Sequence, residues 1–162
     1  MKNNSPLINI LLVDDDQDDI EFFRDALEDM ACDVNISVAI NSFQMFDQLN
    51  TGQNFDLIFL DINLPLVDGM ECLKKLKENS LYRHIPVVML TGSQSEFDIQ
   101  TSFEIGAHNY IAKPNTLNDY EYCLKACIEL FRKKDHVQPA RDKFQIKSES
   151  ATSLPATPAD SV

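Results

Sequence analysis

The chain has 162 residues, 44% of them hydrophobic, which suits one compact domain with a full core and some residues left over. A formal net charge of −12 excludes a nucleic-acid or anionic-membrane surface, because phosphate-rich partners demand clustered Lys and Arg. No apolar stretch is long enough to cross a bilayer and Met1 to Ser5 passes into a strand-like run without a signal-peptide cleavage pattern, so a cytoplasmic protein is expected. Leu7 to Val13 is an apolar run of strand length, and Ile20, Phe23, Leu27 and Met30 recur behind it at helical spacing. Val34 to Ala39 predicts a second strand, followed by a helix with Phe43, Phe46 and Leu49 on one face and Thr51-Gly52 as its stop signal. Phe55 to Leu60 predicts a third strand. The next helix turns Met70, Leu73 and Leu76 inward and Lys74, Lys75, Lys77 and Glu78 outward, and it leads to a fourth strand, Ile85 to Leu90, with Pro86 near its start. Ile99 and Phe103 mark a fourth helix closed near Gly106. His108 to Ala112 is a short fifth strand, and Leu117, Leu124, Ile128 and Phe131 line a last helix.

This alternation predicts a doubly wound α/β fold: a five-stranded parallel sheet, flavodoxin-like in its 2-1-3-4-5 strand order, with helices on both faces. The expected organisation is a short N-terminal tail over residues 1–5, one domain over 6–134, and a polar, mostly disordered tail over 135–162. Phe144 and Ile146 are the only apolar pair of note in that tail; they could dock on a partner or on the domain, but two incidental hydrophobes in an unstructured tail are the preferred reading. Cys32, Cys72, Cys123 and Cys127 include no CxxC pair and read as buried thiols rather than a disulfide framework or a metal site.

Polar residues stand where the apolar runs stop: Asp14 and Asp15, then Asp61, Thr91 and Lys113. In an open parallel sheet the carboxyl ends of the strands face one crevice, so these groups are expected to converge there. Asp14 and Asp15 leave the same strand end and repel each other unless a cation or hydrogen bonds intervene, and a hard divalent cation is the natural neutraliser. Asp16, Asp18 and Asp19 are assigned to capping the first helix and complementing its dipole. Asp14-x-Asp16-x-Asp18 starts like a calcium loop, but Asp19 occupies the place of the turn glycine and a strand precedes it. With the first and third strands adjacent, Asp61 joins Asp14 and Asp15 in a pocket of magnesium size. A carboxylate beside a cation can attack an electrophilic phosphorus and form an acyl phosphate. Thr91 and Lys113 supply a hydroxyl and an ammonium for its oxygens, and Gly92 leaves room for the incoming group. Lys113-Pro114 is a candidate cis peptide, with trans the default.

Leu12-Val13-Asp14-Asp15, Leu60-Asp61-Ile62-Asn63-Leu64-Pro65 with Asp68-Gly69, Val87 to Gly92, and Gly106 to Pro114 together resemble the receiver domain of two-component response regulators. The resemblance covers about residues 6 to 134. It implies that Asp61 accepts a phosphoryl group from a phosphohistidine on a histidine kinase or phosphotransfer protein. It further implies that Asp15, Asp61 and the main-chain carbonyl of Asn63 bind Mg²⁺, with Asp14 acting through water or directly, that Thr91 and Tyr110 are switch residues, and that Lys113 binds the phosphoryl group. On this reading Thr91 moves inward after phosphorylation and Tyr110 fills the space it leaves. The readout surface spans the fourth helix, fifth strand and fifth helix, roughly Gln94 to Phe131, where a downstream protein or a second copy of the chain would bind.

No effector domain fits between Asp135 and Val162, so a stand-alone receiver signalling through protein contacts is expected, not an enzyme that turns over a separate substrate. Asn63-Leu64-Pro65 and the extended chain after the last helix resemble single-domain regulators that partner phytochrome-type kinases. A haloacid-dehalogenase-type phosphatase also uses a strand-end Asp, but its pattern needs a second acid where this chain has Asn63. A receiver serving only as a binding scaffold is the other alternative, and no pocket position is replaced in the way such a scaffold permits.

Overall fold

The computed structural model describes residues 5–133 and 136–152. Residues 1–4 of the expected N-terminal tail over 1–5, the domain end at Lys134, and Asp135 and 153–162 of the expected C-terminal tail lie outside the described residues. Five parallel strands, β1 (Ile8–Val13), β2 (Val34–Ala39), β3 (Leu57–Leu60), β4 (Val87–Thr91) and β5 (Asn109–Ala112), form one sheet in the order β2-β1-β3-β4-β5. The helices between and after them are α1 (Gln17–Asp29), α2 (Ser42–Asn50), α3 (Gly69–Glu78), α4 (Glu96–Ile105) and α5 (Leu117–Arg132). Each of these has a side-chain N-cap, provided by Asp16, Asn41, Asp68, Ser95 and Thr116 in turn. Two cores flank the sheet. Ile20, Phe23, Leu27, Leu124 and Ile128 of α1 and α5 pack with Ile10, Leu12 and Phe59 on one face, while Met45, Leu49, Leu73, Leu76 and Ile99 pack with Leu11, Val13, Ile58 and Leu60 on the other.

Strand limits differ from the apolar runs where backbone hydrogen bonding ends. Pro86 has no N–H, so β4 begins at Val87, although the Pro86 carbonyl still accepts from Ile58 at 3.0 Å. The inward face of α2 also departs from expectation: Met45 and Leu49 are buried, Phe46 is partly buried, and Phe43 is 64% exposed in the first turn. Lys77, expected to face solvent, instead lays its stem on the fold and donates from Nζ to the carbonyls of Ile85 at 2.9 Å and Arg83 at 3.3 Å. Burial lowers its pKa. Gly106 closes α4 in the left-handed region at φ 114°, as its place predicts. The thiols of Cys72, Cys123 and Cys127 are buried and free, Cys32 is free and half-buried, and no described peptide bond is cis, Lys113-Pro114 included.

The largest departure lies after α5. Residues expected to be mostly disordered form two single-turn helices, α6 (Arg141–Phe144) and α7 (Glu149–Thr152), and fold back on the domain. Phe144 is fully buried in the core beside Tyr110, and the Ile146 amide donates to the Tyr110 carbonyl at 2.9 Å. The physical reason is an apolar ring paired with an open sheet edge, which together outweigh the polar composition around them. No helix among the described residues is long and apolar enough to cross a membrane.

Candidate functional site

Register brings the site together. Val13 pairs with Leu60 across β1 and β3, so Asp14 and Asp61, one residue beyond each, emerge side by side. The Asp61 amide donates to the Val13 carbonyl at 3.0 Å and the Asp14 amide to the Ala39 carbonyl at 3.0 Å, fixing both strand ends. Leu60 pairs with Met89, and Thr91 pairs with Ala112, which carries the line across to Lys113 on the far side of β4. The Lys113 amide donates to the Thr91 carbonyl at 2.8 Å.

The side chains then close on a single ammonium. Lys113 Nζ donates to Asp14 Oδ2 at 2.7 Å, to Asp19 Oδ2 at 2.7 Å and to Asp61 Oδ2 at 2.9 Å. Asp14 and Asp61 are buried, with side chains 3% and 7% exposed, whereas Asp19 is 41% exposed. The other carboxylate oxygens take backbone donors: Asp14 Oδ1 accepts from the Asp16 amide at 3.0 Å, and Asp61 Oδ1 from the Asn63 amide at 3.2 Å. Burial raises the pKa of Asp14, opposed by the Lys113 hydrogen bond and the Asp16 amide. Burial alone would lower the pKa of Lys113, but the hydrogen bonds to Asp14, Asp19 and Asp61 outweigh it and hold the ammonium above the ordinary lysine range.

Asp15 is exposed, yet one oxygen each of Asp14, Asp15 and Asp61 lies within 4.8 Å of the others. This is an oxygen-only donor set with two buried members, the chemistry of a hard divalent cation. Asn63 sits exposed at the rim. Thr91 is fully buried, and its Oγ1 accepts from the Ser93 amide at 3.4 Å. Tyr110 is also fully buried and donates from its hydroxyl to the Ser93 carbonyl at 2.9 Å, with burial pushing its phenol up to about 12.

Sequence reasoning placed Asp14, Asp15, Asp61, Thr91 and Lys113 at this edge, and all are there. It missed Asp19 as a partner of Lys113. Asp16 alone accepts from the amides of Asp18 and Asp19 as the N-cap, which frees the Asp19 carboxylate. Its position in the first turn, three residues after the cap, aims a side chain back toward the strand end and was the available signal. Gly69 was also missed as a supporting residue. A Cβ there would stand 2.0 Å from the Asp61 carbonyl oxygen and 2.7 Å from Ile62 Cα, so only glycine lets the start of α3 press against the Asp61 strand end.

Sheet order and strand-end carboxylates define an α/β protein whose chemistry sits at the topological switch point. The chain belongs to the response regulator receiver domain family, whose model matches residues 10–124. It is 32% identical over 124 residues to the response regulator Rcp1 of Synechocystis sp., covering 73% of this chain and 84% of that one. Several other relatives are longer, and the chain spans between 23% and 50% of their length. The solved structure of the phosphorylated cyanobacterial phytochrome response regulator RcpA superposes with a TM-score of 0.73 at 28% identity, over 80% of this chain and 96% of that chain. The Mn²⁺-bound form of Rcp1 gives 0.69 at 30% identity, over 82% and 99%. Members of this family are signalling proteins.

Proposed function

We propose that this chain accepts a phosphoryl group on Asp61 from a phosphohistidine of a histidine kinase or phosphotransfer protein in the cytoplasm. A carboxylate oxygen of Asp61 attacks phosphorus as the P–N bond breaks. The electron pair leaves with the imidazole nitrogen, and an acyl phosphate remains on Asp61. The single observation that carries the reading is Lys113 Nζ seated between Asp14 and Asp61 at 2.7 and 2.9 Å, which puts a cation beside a strand-end carboxylate.

The donor set fits Mg²⁺, with Asp14, Asp15, Asp61 and the main-chain carbonyl of Asn63 as its ligands. When bound, that ion offsets the negative charge of the incoming phosphoryl oxygens. Lys113 turns its ammonium from the carboxylates to a phosphoryl oxygen, and the Thr91 hydroxyl leaves the Ser93 amide to donate to another. Thr91 thereby pulls on the segment whose Ser93 carbonyl holds the Tyr110 hydroxyl, which makes Thr91 and Tyr110 the switch pair. Tyr110 is already inward here, so the switch acts by strengthening or releasing that seat.

A cleft of 670 Å³ beside the site, lined in part by Asn63, Leu64, Met70 and Phe97, supports docking of a protein donor. Phe97 and nearby Leu66 are each 77% exposed. The output is a protein contact rather than turnover of a separate substrate, and water ends the signal by hydrolysing the acyl phosphate.

Intact mass after incubation with acetyl phosphate and Mg²⁺ tests the proposal. A single phosphoryl adduct is expected in the wild type, absent from Asp61→Asn and from a chelated control. An adduct of equal yield in Asp61→Asn refutes the assignment.

A further inference from the structure

The segment after α5 is seated on the domain like a bound peptide. Gln138 Nε2 donates to the carbonyls of Phe103 at 2.8 Å and Ala107 at 2.7 Å, in and just past the last turn of α4, where helix carbonyls run out of intrahelical donors. Arg141 Nε donates to Gln100 Oε1 at 2.8 Å, and its Nη2 pairs with Glu96. Phe144 enters a cup between Phe103, edge-on at 5.2 Å and 74°, and Tyr110, tilted at 6.4 Å. The Asn109 side-chain amide donates to the Phe144 carbonyl at 3.1 Å, and the Ile146 amide to the Tyr110 carbonyl at 2.9 Å. Tyr110 and Gln145 form one parallel bridge, so the segment extends the β5 edge of the sheet by a single rung.

Those contacts divide into a polar entrance with one carboxylate and one amide oxygen, an aromatic cup and a short length of strand edge. We propose that the α4–β5 face is a peptide-binding cleft whose resident occupant is this chain's own residues 138–146. The protein that receives this chain's signal takes the same seat with a segment that carries a guanidinium three residues ahead of a phenylalanine on one helical turn and then runs on extended for a residue or two. Glu96 and Gln100 select the guanidinium, the Phe103–Tyr110 cup selects the ring, and the Tyr110 carbonyl and Asn109 amide hold the backbone. The resident segment is tethered just beyond α5 and competes at the high effective concentration of a short linker. The cup wall, Tyr110, also reaches the Ser93 carbonyl beside Thr91, so the cleft and the acidic site share one side chain. The cleft itself does not depend on phosphorylation of Asp61, and its test uses no phosphoryl donor.

The test is made on the full chain with a fluorescent peptide spanning residues 136–148. Phe144→Ala, which empties the cup, is expected to bind the peptide at least about tenfold tighter than the wild type, because the resident competitor is gone. A peptide with Phe144 replaced by Ala is expected to lose that binding. Phe144→Ala also removes a buried ring, so Arg141→Glu, which repels Glu96 at the exposed entrance, serves as the second variant and is expected to show the same gain without a cavity. Amide hydrogen exchange at Ile146 supplies the independent readout. In the wild type it is expected to run at least about tenfold faster than in Val87–Thr91, at a rate unchanged by protein concentration, as for a segment that opens locally. Exchange at Ile146 as slow as in β4, or equal peptide affinity in wild type and both variants, overturns the proposal. Protection that climbs with protein concentration places a second copy's segment in the seat and overturns the resident assignment.

Discussion

Replacing Lys113 with methionine keeps most of the side-chain stem and removes only the ammonium that bridges Asp14, Asp19 and Asp61. Asp14 and Asp61 are buried, and removing one partner of a buried ion pair costs about 3–5 kcal/mol, because a charge is left without compensation. Asp19 is 41% exposed and adds less than about 1 kcal/mol. Asp14 and Asp61 keep the Asp16 and Asn63 amides as donors, which offsets part of the cost, so a loss near 3 kcal/mol is expected, at the lower end of the ~3–5 kcal/mol range. At about 2–4 °C per kcal/mol for a chain of this size, the melting temperature in chelator falls by about 6–12 °C. The pH dependence has a definite sign. A carboxyl whose folded pKa lies above its ordinary 3.8 binds more proton folded than unfolded, so stability falls as pH rises through that interval and is flat above it. The deficit of Lys113→Met is therefore largest at neutral pH and shrinks in mild acid. At the proposed Mg²⁺ site the ion is expected to stand in for the missing ammonium, and at a hundredfold excess over its dissociation constant it returns about 2.7 kcal/mol to the variant. Thermal melts by circular dichroism, with and without Mg²⁺, measure both effects. A variant melting within about 2 °C of wild type in chelator, under 1 kcal/mol of change, refutes the account, as does a variant melting temperature that Mg²⁺ leaves untouched.

Gly69→Ala forces a methyl to within 2.0 Å of the Asp61 carbonyl oxygen; a loss of about 1–3 kcal/mol in urea denaturation and a lower phosphoryl-adduct yield are expected together, since both follow from displacing the Asp61 strand end. Tyr110→Phe deletes the hydrogen bond to the Ser93 carbonyl and is expected to cost about 0.5–1.5 kcal/mol at neutral pH. Its alkaline behaviour separates it from a packing defect. The buried phenol is pushed from 10.0 to about 12, so the unfolded chain ionises first and the wild type loses stability as pH climbs through that window. Urea midpoints across the same window are expected to fall less steeply in the Phe variant. Asp19→Asn leaves Lys113 its two buried partners, and melting is expected to show a change within about 1 kcal/mol.

The element order and the five strand-end polar residues were readable because each rests on local pattern: an apolar run fixes a buried strand, and the next polar residue must leave the core where the run ends. Helix faces were read less well, as with Phe43, because a short helix with apolar residues on two adjacent stripes leaves the buried one to be chosen by packing. Lys77 shows the same limit from the polar side. Its charge predicts solvent, yet a long stem lets the ammonium cross the core margin to the Ile85 carbonyl. Asp19 acts on Lys113, 94 residues away, and no single run of residues reports such a meeting; Gly69 stands in the same run as Asp61, but only the folded turn shows that its missing Cβ is what the Asp61 carbonyl needs.

The C-terminal segment is the sharpest case. Composition argues against order there, because few large apolar residues stand among charged and small polar ones. That criterion asks whether a segment can build a core of its own, and this segment does not have to. It lends one ring to a core that α4 and β5 have already built, and pairs its backbone with an edge that would otherwise lie open. The ring it lends rests on Tyr110, and the hydroxyl of Tyr110 rests on the carbonyl of Ser93, two residues past Thr91. Tyr110 is therefore the side chain through which a displacement at one end of that chain changes the packing at the other, whether or not Asp61 carries a phosphoryl group.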